Sequence, residues 1–416
     1  HVASTGNLTL RHTTISNGSI LGGGGGGGIT NQGILTVEHS TITRNRVTGN
    51  DNLPAGSGGG IRSSATLTVT DSVISANKVI SSNVTPDNSV FATGGGISAK
   101  GNKLVIRNST ISGNSVSSTA AGGTSTSNAQ GAGIAVSTTP LGGFTTTISA
   151  STISGNLASA SNTGAGTAVS TGGAIDTRSF PTDKMTITVT NSTLAKNSVT
   201  STTAAGNTGA AINDTGSAGD TLDLVNTTVA LNAGSTAAIA NSVRGGAVSL
   251  TNTIAANNLP AKNCAGTITN GGGNLSFPAD GTCAAFGHGD PALGPLQNNG
   301  GPTATMALGT GSAAIDTAFP IPCGQPEPAG AGGIDQRGLP RMEVLPDPKC
   351  DIGAFEVQPV VAVPSAPTAT PALPKAGTQG PGSGSGLPWP LLIPAAVAAA
   401  GALGSAGRRL RGRPTS

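Results

Sequence analysis

The sequence has few of the side chains from which most binding and catalytic sites are built. Its 416 residues include no tyrosine, one tryptophan and seven phenylalanines, and only 9% of them are charged. Few aromatic side chains are therefore available to stack on sugar rings or nucleic-acid bases. The formal net charge of +3 is negligible over this length and no basic face appears, so the composition excludes a nucleic-acid partner.

One phrase recurs along the first two thirds of the chain. It reads L-x-V-x-x-S-T-I-x-x-N and follows a tetrad similar to G-G-G-I. Its first and third apolar residues lie seven positions apart, at Leu8 and Ile15, Leu35 and Ile42, Leu67 and Ile74, Leu104 and Ile111, Ile187 and Leu194, and Leu222 and Val229. An asparagine follows three positions later, at Asn45, Asn77, Asn114, Asn156, Asn197, Asn232 and Asn257, while the first copy has Gly18 there. Such a repeat predicts a solenoid whose stacked units share a core.

The spacing within each copy predicts extended strands. Apolar residues alternate at i and i+2, as at Leu67 and Val69, whereas a helix requires i, i+3 and i+4. Ile74 would point inward from the next strand, and Asn77 would close that strand because asparagine tolerates left-handed backbone angles. We therefore predict an all-β, right-handed parallel β-helix with one coil per repeat, about 4.8 Å per coil and an asparagine ladder.

Length varies between the ladder asparagine and the next glycine-rich tetrad. Asn45 precedes Ile61 by 16 positions, whereas Asn77 precedes Ile97 by 20. Segments such as residues 115–131 consist mainly of serine, threonine, alanine, asparagine and glycine, so they are expected to be loops that project from one edge and cannot fold independently. The small residues of the tetrads are expected to let backbones pass close together.

The composition changes near residue 260, which predicts a solenoid over residues 1–260 and a small β-rich module over residues 261–357. All four cysteines, Cys264, Cys283, Cys323 and Cys350, lie in that module. Their even number outside any C-x-x-C spacing favours two disulfides over a metal site and indicates an oxidising, extracellular location. Three pairings are possible, of which we favour the nearest-neighbour pairs.

Long ordered motifs in the module resemble a known family. They are Asp290-Pro-Ala-Leu-Gly-Pro-Leu296, Asn298-Asn-Gly-Gly-Pro-Thr-Ala-Thr-Met-Ala-Leu308, Gly311-Ser-Ala-Ala-Ile-Asp316, Asp335-Gln-Arg-Gly-Leu-Pro-Arg341 and Cys350-Asp-Ile-Gly-Ala-Phe-Glu356. Together they are similar to the bacterial choice-of-anchor Q domain over residues 285–357. The shorter G-G-G-I and I-x-x-N phrases also resemble repeats of polymorphic outer-membrane proteins. The first resemblance implies a right-handed parallel β-helix displayed at the cell surface, with no established activity.

The last part of the chain has the layout of a membrane or sorting tail. A Pro/Gly/Ser-rich linker, residues 358–386, contains Leu373, Pro374, Lys375, Ala376 and Gly377, which resemble the L-P-x-T-G signal that sortases cleave, with Ala376 in place of threonine. The uncharged segment 387–407 could just span a bilayer, and the arginines of residues 408–416 would stay in the cytoplasm. The repeat has already begun by Leu8, so we expect a further segment, with any export signal, before His1.

Residues suited to catalysis are scattered. Enzymes that cleave polyuronides on parallel β-helices need paired aspartates, or acidic calcium ligands with a base. The solenoid acids occur singly or in loops, at Asp71, Asp87, Asp176, Asp183, Asp214, Asp220 and Asp223. Asp223 alternates with two leucines and is expected to face solvent. We expect His288, in Gly-His-Gly, to lie in a surface loop, and His12 and His39 to stack at one corner without further metal ligands.

Two classes of function remain after these exclusions. The sequence favours a non-enzymatic structural or adhesive rod, anchored at the bacterial cell surface by its C-terminal membrane segment and processed by a sortase. The alternative is a carbohydrate-active enzyme, a polysaccharide lyase or hydrolase, on the same scaffold. No catalytic, cofactor or metal residue is assigned, and a glycan or other cell-surface ligand is the expected partner of a rod that presents repeated Ser, Thr and Asn side chains.

Overall fold

Each repeat folds into one coil of short strands in the computed structural model of the protein. The structure describes residues 1–359 except residues 23, 51–54, 140–141, 204–205, 235, 243–245, 260–261, 284 and 342–348. Within this part of the chain, each strand of a coil pairs in parallel with the corresponding strand of the next coil. This is the arrangement of a parallel β-helix, as the repeat predicts; its right hand stays a prediction.

Three sheets enclose the main core, and we number them in the order in which a coil passes through them. Sheet 1 contains Ile29–Asn31, Ile61–Ser63, Ile97–Ala99, Ile134–Ser137, Ile175–Arg178, Ile212–Thr215, Ala237–Asn241 and Lys262–Ala265. Sheet 2 contains Asn7–Arg11, Ile34–Glu38, Thr66–Thr70, Lys103–Arg107, Phe144–Ser149, Met185–Thr190, Thr221–Val225, Ala247–Thr251 and Ile268–Asn270. Sheet 3 contains Thr14–Ser16, Thr41–Thr43, Val73–Ser75, Thr110–Ser112, Thr152–Ser154, Thr193–Ala195, Thr228–Ala230, Ile254–Ala256, Leu275–Phe277 and Gly287–His288.

The segments expected to be loops form two further sheets, so that expectation is wrong. Sheet 4 contains Ser19–Leu21, Arg46–Gly49, Lys78–Asn83, Ser115–Ala120, Leu157–Asn162 and Ser198–Ser201. Sheet 5 contains Ala55–Ser57, Val90–Thr93, Thr126–Gln130, Thr167–Thr171 and Asn207–Thr208. We call sheets 4 and 5 together the lateral flap. They share a second core of small side chains that includes Val79, Ala92, Val116 and Ala129.

Small side chains are what this flap requires. The hydroxyls of Ser118 and Ser127, on facing strands of one coil, lie 2.6 Å apart and are buried. A Cβ atom built on Gly56 would lie only 2.7 Å from a methyl group of Val79. Because the facing strands approach this closely, serine, alanine and glycine fill the space between them, and the flap gains its stability from stacking on neighbouring coils rather than from bulky apolar residues.

The apolar residues spaced seven apart point into the main core. Leu35, Ile42, Leu67, Ile74 and their counterparts in later copies are buried, and each aligns with its equivalent in the adjacent coil. In the first copy, Leu8 is exposed and Ile15 is only partly buried. The seven-residue spacing therefore identifies the inward positions of sheets 2 and 3.

A ladder of buried asparagines runs along the corner between sheets 3 and 4, as predicted. In each step one Oδ1 atom accepts hydrogen bonds from both the backbone N–H and the Nδ2 group of the preceding asparagine, at 2.9 to 3.1 Å. Two details differ from the prediction. The last member is Asn258 rather than Asn257, and the left-handed residue is the one before each asparagine, such as Ala76 or Gly113. The asparagines therefore contribute amide hydrogen bonds rather than unusual backbone angles.

The coil continues beyond residue 260, where the sequence analysis places the module. Lys262–Ala265, Ile268–Asn270 and Leu275–Phe277 extend sheets 1, 2 and 3. The chain then folds back over sheet 3 as an antiparallel pair, Leu293–Gln297 and Thr305–Leu308, followed by a short helix, Pro320–Gly324. Met306 packs on Ala195 and Ala230 of sheet 3. We call residues 290–357 the return segment.

Substitution of Ile111 tests which side chains of sheet 3 point into the main core. Its side chain is fully buried in the main core, whereas the adjacent Ser112 is part-exposed on the other face of the same strand. Ile111→Asp should lower the free energy of unfolding by about 4 kcal/mol or more, because it buries an unpaired charge. Ser112→Asp should change it by less than about 1 kcal/mol. Urea unfolding of the two variants measures the difference. Similar losses of unfolding free energy would contradict the assignment of Ile111 to the core and Ser112 to the outer face.

Candidate functional site

A groove runs along the rod where the lateral flap meets sheet 1. Its flap wall consists of outward-facing residues of sheet 5 in two aligned rows: Ala55, Phe91, Asn128 and Val169, and Ser57, Thr93, Gln130, Thr171 and Thr208. Its other wall consists of two rows of sheet 1: Arg62, Ser98, Ala135, Asp176, Asn213 and Ala240, and Lys100, Ser137, Arg178 and Thr215. We call this cleft the lateral groove.

The lateral groove is continuous over several coils. Two adjoining cavities of about 360 and 280 Å³ share Gln130 and Arg178 in their walls. Between Arg62 and Ala240 the chain makes five coil steps, which correspond to about 24 Å at about 4.8 Å per coil. The groove is therefore an elongated surface with one set of side chains per coil.

Glycines at the bottom of the groove turn the chain from sheet 5 into sheet 1. The first residue of each tetrad, Gly58, Gly94, Gly131, Gly172 or Gly209, has a left-handed φ between 59° and 70°. The side chains on either side of the turn then meet across the groove floor. The Ser57 hydroxyl accepts a hydrogen bond from Arg62 at 3.1 Å, and the Thr171 hydroxyl donates one to Asp176 at 2.7 Å.

Among the described residues, three cations line the groove: Arg62, Lys100 and Arg178. Arg62 is held by Ser57 and by the carbonyl of Gly24 at 3.3 Å. Within the described part of the chain, the ammonium of Lys100 and the guanidinium of Arg178 form no hydrogen bond or ion pair, and both residues are exposed. Burial, together with the positive charges of Arg62 and Arg178, lowers the pKa of Lys100.

Asp176 is the one acid among the described residues that line the groove. It is 4% exposed, and its Oδ1 atom accepts hydrogen bonds from Thr171 and from Asn213, at 2.7 and 2.8 Å. Burial raises the pKa of this carboxyl group, while the two hydrogen bonds oppose that effect. Asp176 therefore serves first to hold the groove floor together across two coils.

Two further acids, Asp214 and Asp220, lie nearby on the next coil, a proximity that the sequence does not reveal. Asp214 accepts a hydrogen bond from the Thr177 hydroxyl, and Asp220 accepts bonds from the Ser179 hydroxyl and from the backbone N–H groups of Met185 and Ser217. Both carboxylates are almost completely buried. Because their oxygens already bind groups of the fold, they do not form a pair open to a substrate.

The other acids and histidines weighed in the sequence have separate positions. Asp223 is half-buried beside Pro328 and Ala329 of the return segment instead of facing open solvent, and burial raises its pKa. His288 is exposed, in a short strand at the end of sheet 3 rather than in a loop. His12 and His39 stack with ring centroids 5.2 Å apart, as expected. No group of three potential metal ligands occurs among the described residues.

The disulfides join Cys264 to Cys283 and Cys323 to Cys350, so the favoured pairing is confirmed. The first closes the last coil, since Cys264 lies in sheet 1. The second lies within the return segment, where the amide groups of Asn226 and Asn252 contact Cys323 at 3.7 and 3.6 Å. Both are structural.

The motif Asp335-Gln-Arg-Gly-Leu-Pro-Arg341 supplies a buried clamp rather than an open site. The fully buried Arg341 lies 3.4 Å from Glu356 and donates to Asn191 of the coil at 2.9 Å. Gln336 accepts a hydrogen bond from Thr193 at 2.6 Å. Burial and the neighbouring Asp351 raise the pKa of Glu356 to about 8. These contacts hold the return segment on sheet 3.

No protein family, curated protein or solved structure matches this chain. The resemblance to the choice-of-anchor Q domain thus depends on the motifs alone. Leu373, Pro374, Lys375, Ala376 and Gly377, the span 387–407 and the basic residues 408–416 lie outside the described residues. Within the described part of the chain, no helix has the length and apolar character needed to cross a bilayer.

The glycines at the groove floor provide a test of its geometry. A Cβ atom on Gly94 would lie 2.5 Å from the carbonyl oxygen of Ile97, whereas Gly113, also left-handed, has no atom nearer than 4.0 Å and corresponds to Ala76 of the preceding coil. Gly94→Ala should lower the free energy of unfolding by about 3 kcal/mol and Gly113→Ala by about 1 kcal/mol. Chemical denaturation compares them, and equal losses would show that contact at the groove floor is unimportant.

Proposed function

We propose that this protein is a non-catalytic rod, displayed at the cell surface, that adheres to polysaccharide through the lateral groove. The observation that carries the proposal is the groove itself, an elongated cleft that presents hydroxyl and amide side chains along its coils and cationic side chains on three of them. A linear polymer can contact such repeated groups along its length. Many weak contacts in series then give useful affinity without a deep pocket.

The acids of the groove argue against hydrolysis. Hydrolases that cleave glycosidic bonds use two carboxyl groups at a fixed separation, one on each side of the scissile bond. Among the described groove residues Asp176 is the single acid, and the fold uses its carboxylate as a hydrogen-bond acceptor. Asp214 and Asp220 are buried in contacts of their own.

The alternative function, a polysaccharide lyase, is favoured by one feature. Lys100 has a lowered pKa and lies near two arginines, so it could in principle remove a proton beside a carboxylate that the arginines neutralise. Among the described groove residues, Asp176 is the single acid that could protonate the leaving oxygen, and its Oδ1 atom already accepts hydrogen bonds from Thr171 and Asn213. Binding without cleavage therefore accounts better for these residues.

A panel of polysaccharides scored for both retention and cleavage tests the proposal. The full chain should be retained by at least one polysaccharide and should release no reducing ends or unsaturated products from any. Ser137→Trp, which places a bulky ring in the groove, should abolish retention, because Ser137 lies in its wall. Thr68→Trp on the outer face of sheet 2 is the matched control and should bind normally.

Two results would refute parts of this proposal. Cleavage that disappears in Lys100→Met would establish the lyase alternative. Retention that survives in Ser137→Trp would exclude the groove as the adhesive surface.

Display at the cell surface is supported by the disulfides and by the layout of the tail. Two disulfides are typical of oxidising, extracytoplasmic compartments. A linker with a sorting-like motif, an uncharged span and a basic end follow in the order expected for export and retention. The choice-of-anchor Q resemblance of residues 285–357 agrees with this role, and a sortase is the proposed processing partner.

Truncation tests the anchor. A chain ending at Glu356 should be released into the medium, whereas the full chain should stay with the cells, because the arginines of residues 408–416 oppose transfer across the membrane. Fractionation with an antibody measures both. If a sortase acts, mass spectrometry should find the mature chain ending at Ala376. A truncated chain that still remains on cells would contradict anchoring by the tail.

A further inference from the structure

Two of the three groove cations, Lys100 and Arg178, form no ion pair within the described part of the chain, although Arg178 attracts the carboxylate of Asp176 electrostatically. Arg11 pairs with Glu38, and Arg107 pairs with Glu327 of the return segment at 2.7 Å. Lys100 and Arg178 have no such partner in the described part of the chain, although both lie in one cleft with Arg62. Like charges held near each other in a partly desolvated cleft repel, so an anion bound between them would gain their combined attraction.

The spacing of these cations follows the coil. Lys100 directly follows Ile97–Ala99, and Arg178 ends Ile175–Arg178 two coils further along, about 10 Å away at about 4.8 Å per coil. Arg62 lies one coil before Lys100 in the neighbouring row. The cations therefore form a line along the groove rather than a cluster around one point, which suits several anions borne by one extended chain.

The other groove residues favour a polysaccharide as that chain. Ser57, Thr93, Ser98, Gln130 and Ser137 offer hydroxyl and amide groups for hydrogen bonds to sugar hydroxyls. A peptide strand would need a free sheet edge, but the backbone groups of sheets 1 and 5 here pair with adjacent coils. Nucleic acid would require more cations and more aromatic rings than Phe91 alone.

We infer that the lateral groove binds an acidic polysaccharide, whose carboxylate or sulfate groups contact Arg62, Lys100 and Arg178. The guanidinium groups can donate paired hydrogen bonds to such anions, and the ammonium supplies a compact charge between them. Asp176 sits in the same row as Arg62 and is almost fully buried; its Oδ1 atom accepts hydrogen bonds from Thr171 and Asn213, and Arg178 attracts its carboxylate, so its charge is largely met within the fold. This inference rests on the proposed function and specifies the charge class of its ligand.

Binding of the purified full chain to four probes tests the inference. The probes are polygalacturonate, its fully methyl-esterified form, dextran sulfate and double-stranded DNA, each measured at low and high salt. Wild-type protein should bind polygalacturonate or dextran sulfate, the preferred probe identifying the anion. It should bind the methyl ester at least about tenfold more weakly and lose affinity as salt rises.

Variants locate the site. Each of Arg62→Gln, Lys100→Gln and Arg178→Gln should weaken binding about fivefold, and the triple variant about a hundredfold. A matched triple variant removes three exposed cations outside the groove, Arg46→Gln, Lys78→Gln and Lys103→Gln, and should bind within about twofold of wild type. Circular dichroism and thermal unfolding confirm that both triple variants are folded.

The outcomes separate this inference from the proposed function. Equal loss in the two triple variants, equal binding of the methyl ester, or tighter binding of DNA would each overturn the inference. If only neutral polysaccharides bind and Ser137→Trp abolishes that binding, the proposed function is supported and the inference of an acidic ligand is wrong. If neither neutral nor acidic polysaccharides bind, both the proposed function and the inference are wrong.

Discussion

The structure depends on a constraint of register, because every strand must lie above its equivalent in the preceding coil. The buried asparagine ladder enforces this alignment, since each Oδ1 atom accepts two hydrogen bonds from the asparagine one coil before. A shift of one residue would leave those buried amides without partners, at a cost of about 1 to 3 kcal/mol for each. The corner between sheets 3 and 4 therefore keeps one length from Asn45 to Asn232, and only the step to Asn258 contains an additional residue.

Length varies where the chain leaves the main core to form the lateral flap, and it also varies in the connection from sheet 1 to sheet 2. The strands of the lateral flap still stack in register, but their number of residues per coil differs, from Arg46–Gly49 to Lys78–Asn83. Apolar periodicity gives only a sparse signal for the flap, because Ser118, Ala129 and similar small residues are interspersed with few larger ones, such as Val79 and Val116, in its core. In an isolated segment, a composition of small polar residues indicates a loop. When such a segment recurs in every coil, it can form closely packed strands, because stacking on the neighbouring coils supplies contacts that the segment cannot make alone.

The main core and the disulfides were predictable because each depends on residues close in sequence or on a fixed spacing. The lateral groove was not. Lys100 and Arg178 are brought onto one wall by two coils of unequal length, so no constant interval in the sequence connects them. The same holds for Asp214 and Asp220, which the sequence presents as unrelated single acids. The shift of the ladder to Asn258 has a similar origin, because the additional residue in that copy is recognisable only from the register.

The return segment covers one sheet of the coil and leaves the lateral groove uncovered. Its most distinctive residues, Gln336 and Arg341, make buried hydrogen bonds to Thr193 and Asn191 at sheet 3, so their chemistry is used in holding the segment on the coil. Met306 and Leu308 add apolar contacts on the same face. Sheet 3 is thus covered over several coils, whereas the sheet 1 wall of the groove carries Lys100 and Arg178, which form no ion pair among the described residues. The clamp and the lateral groove thus occupy different sheets of the coil, so the residues that fix the return segment are not those that line the groove.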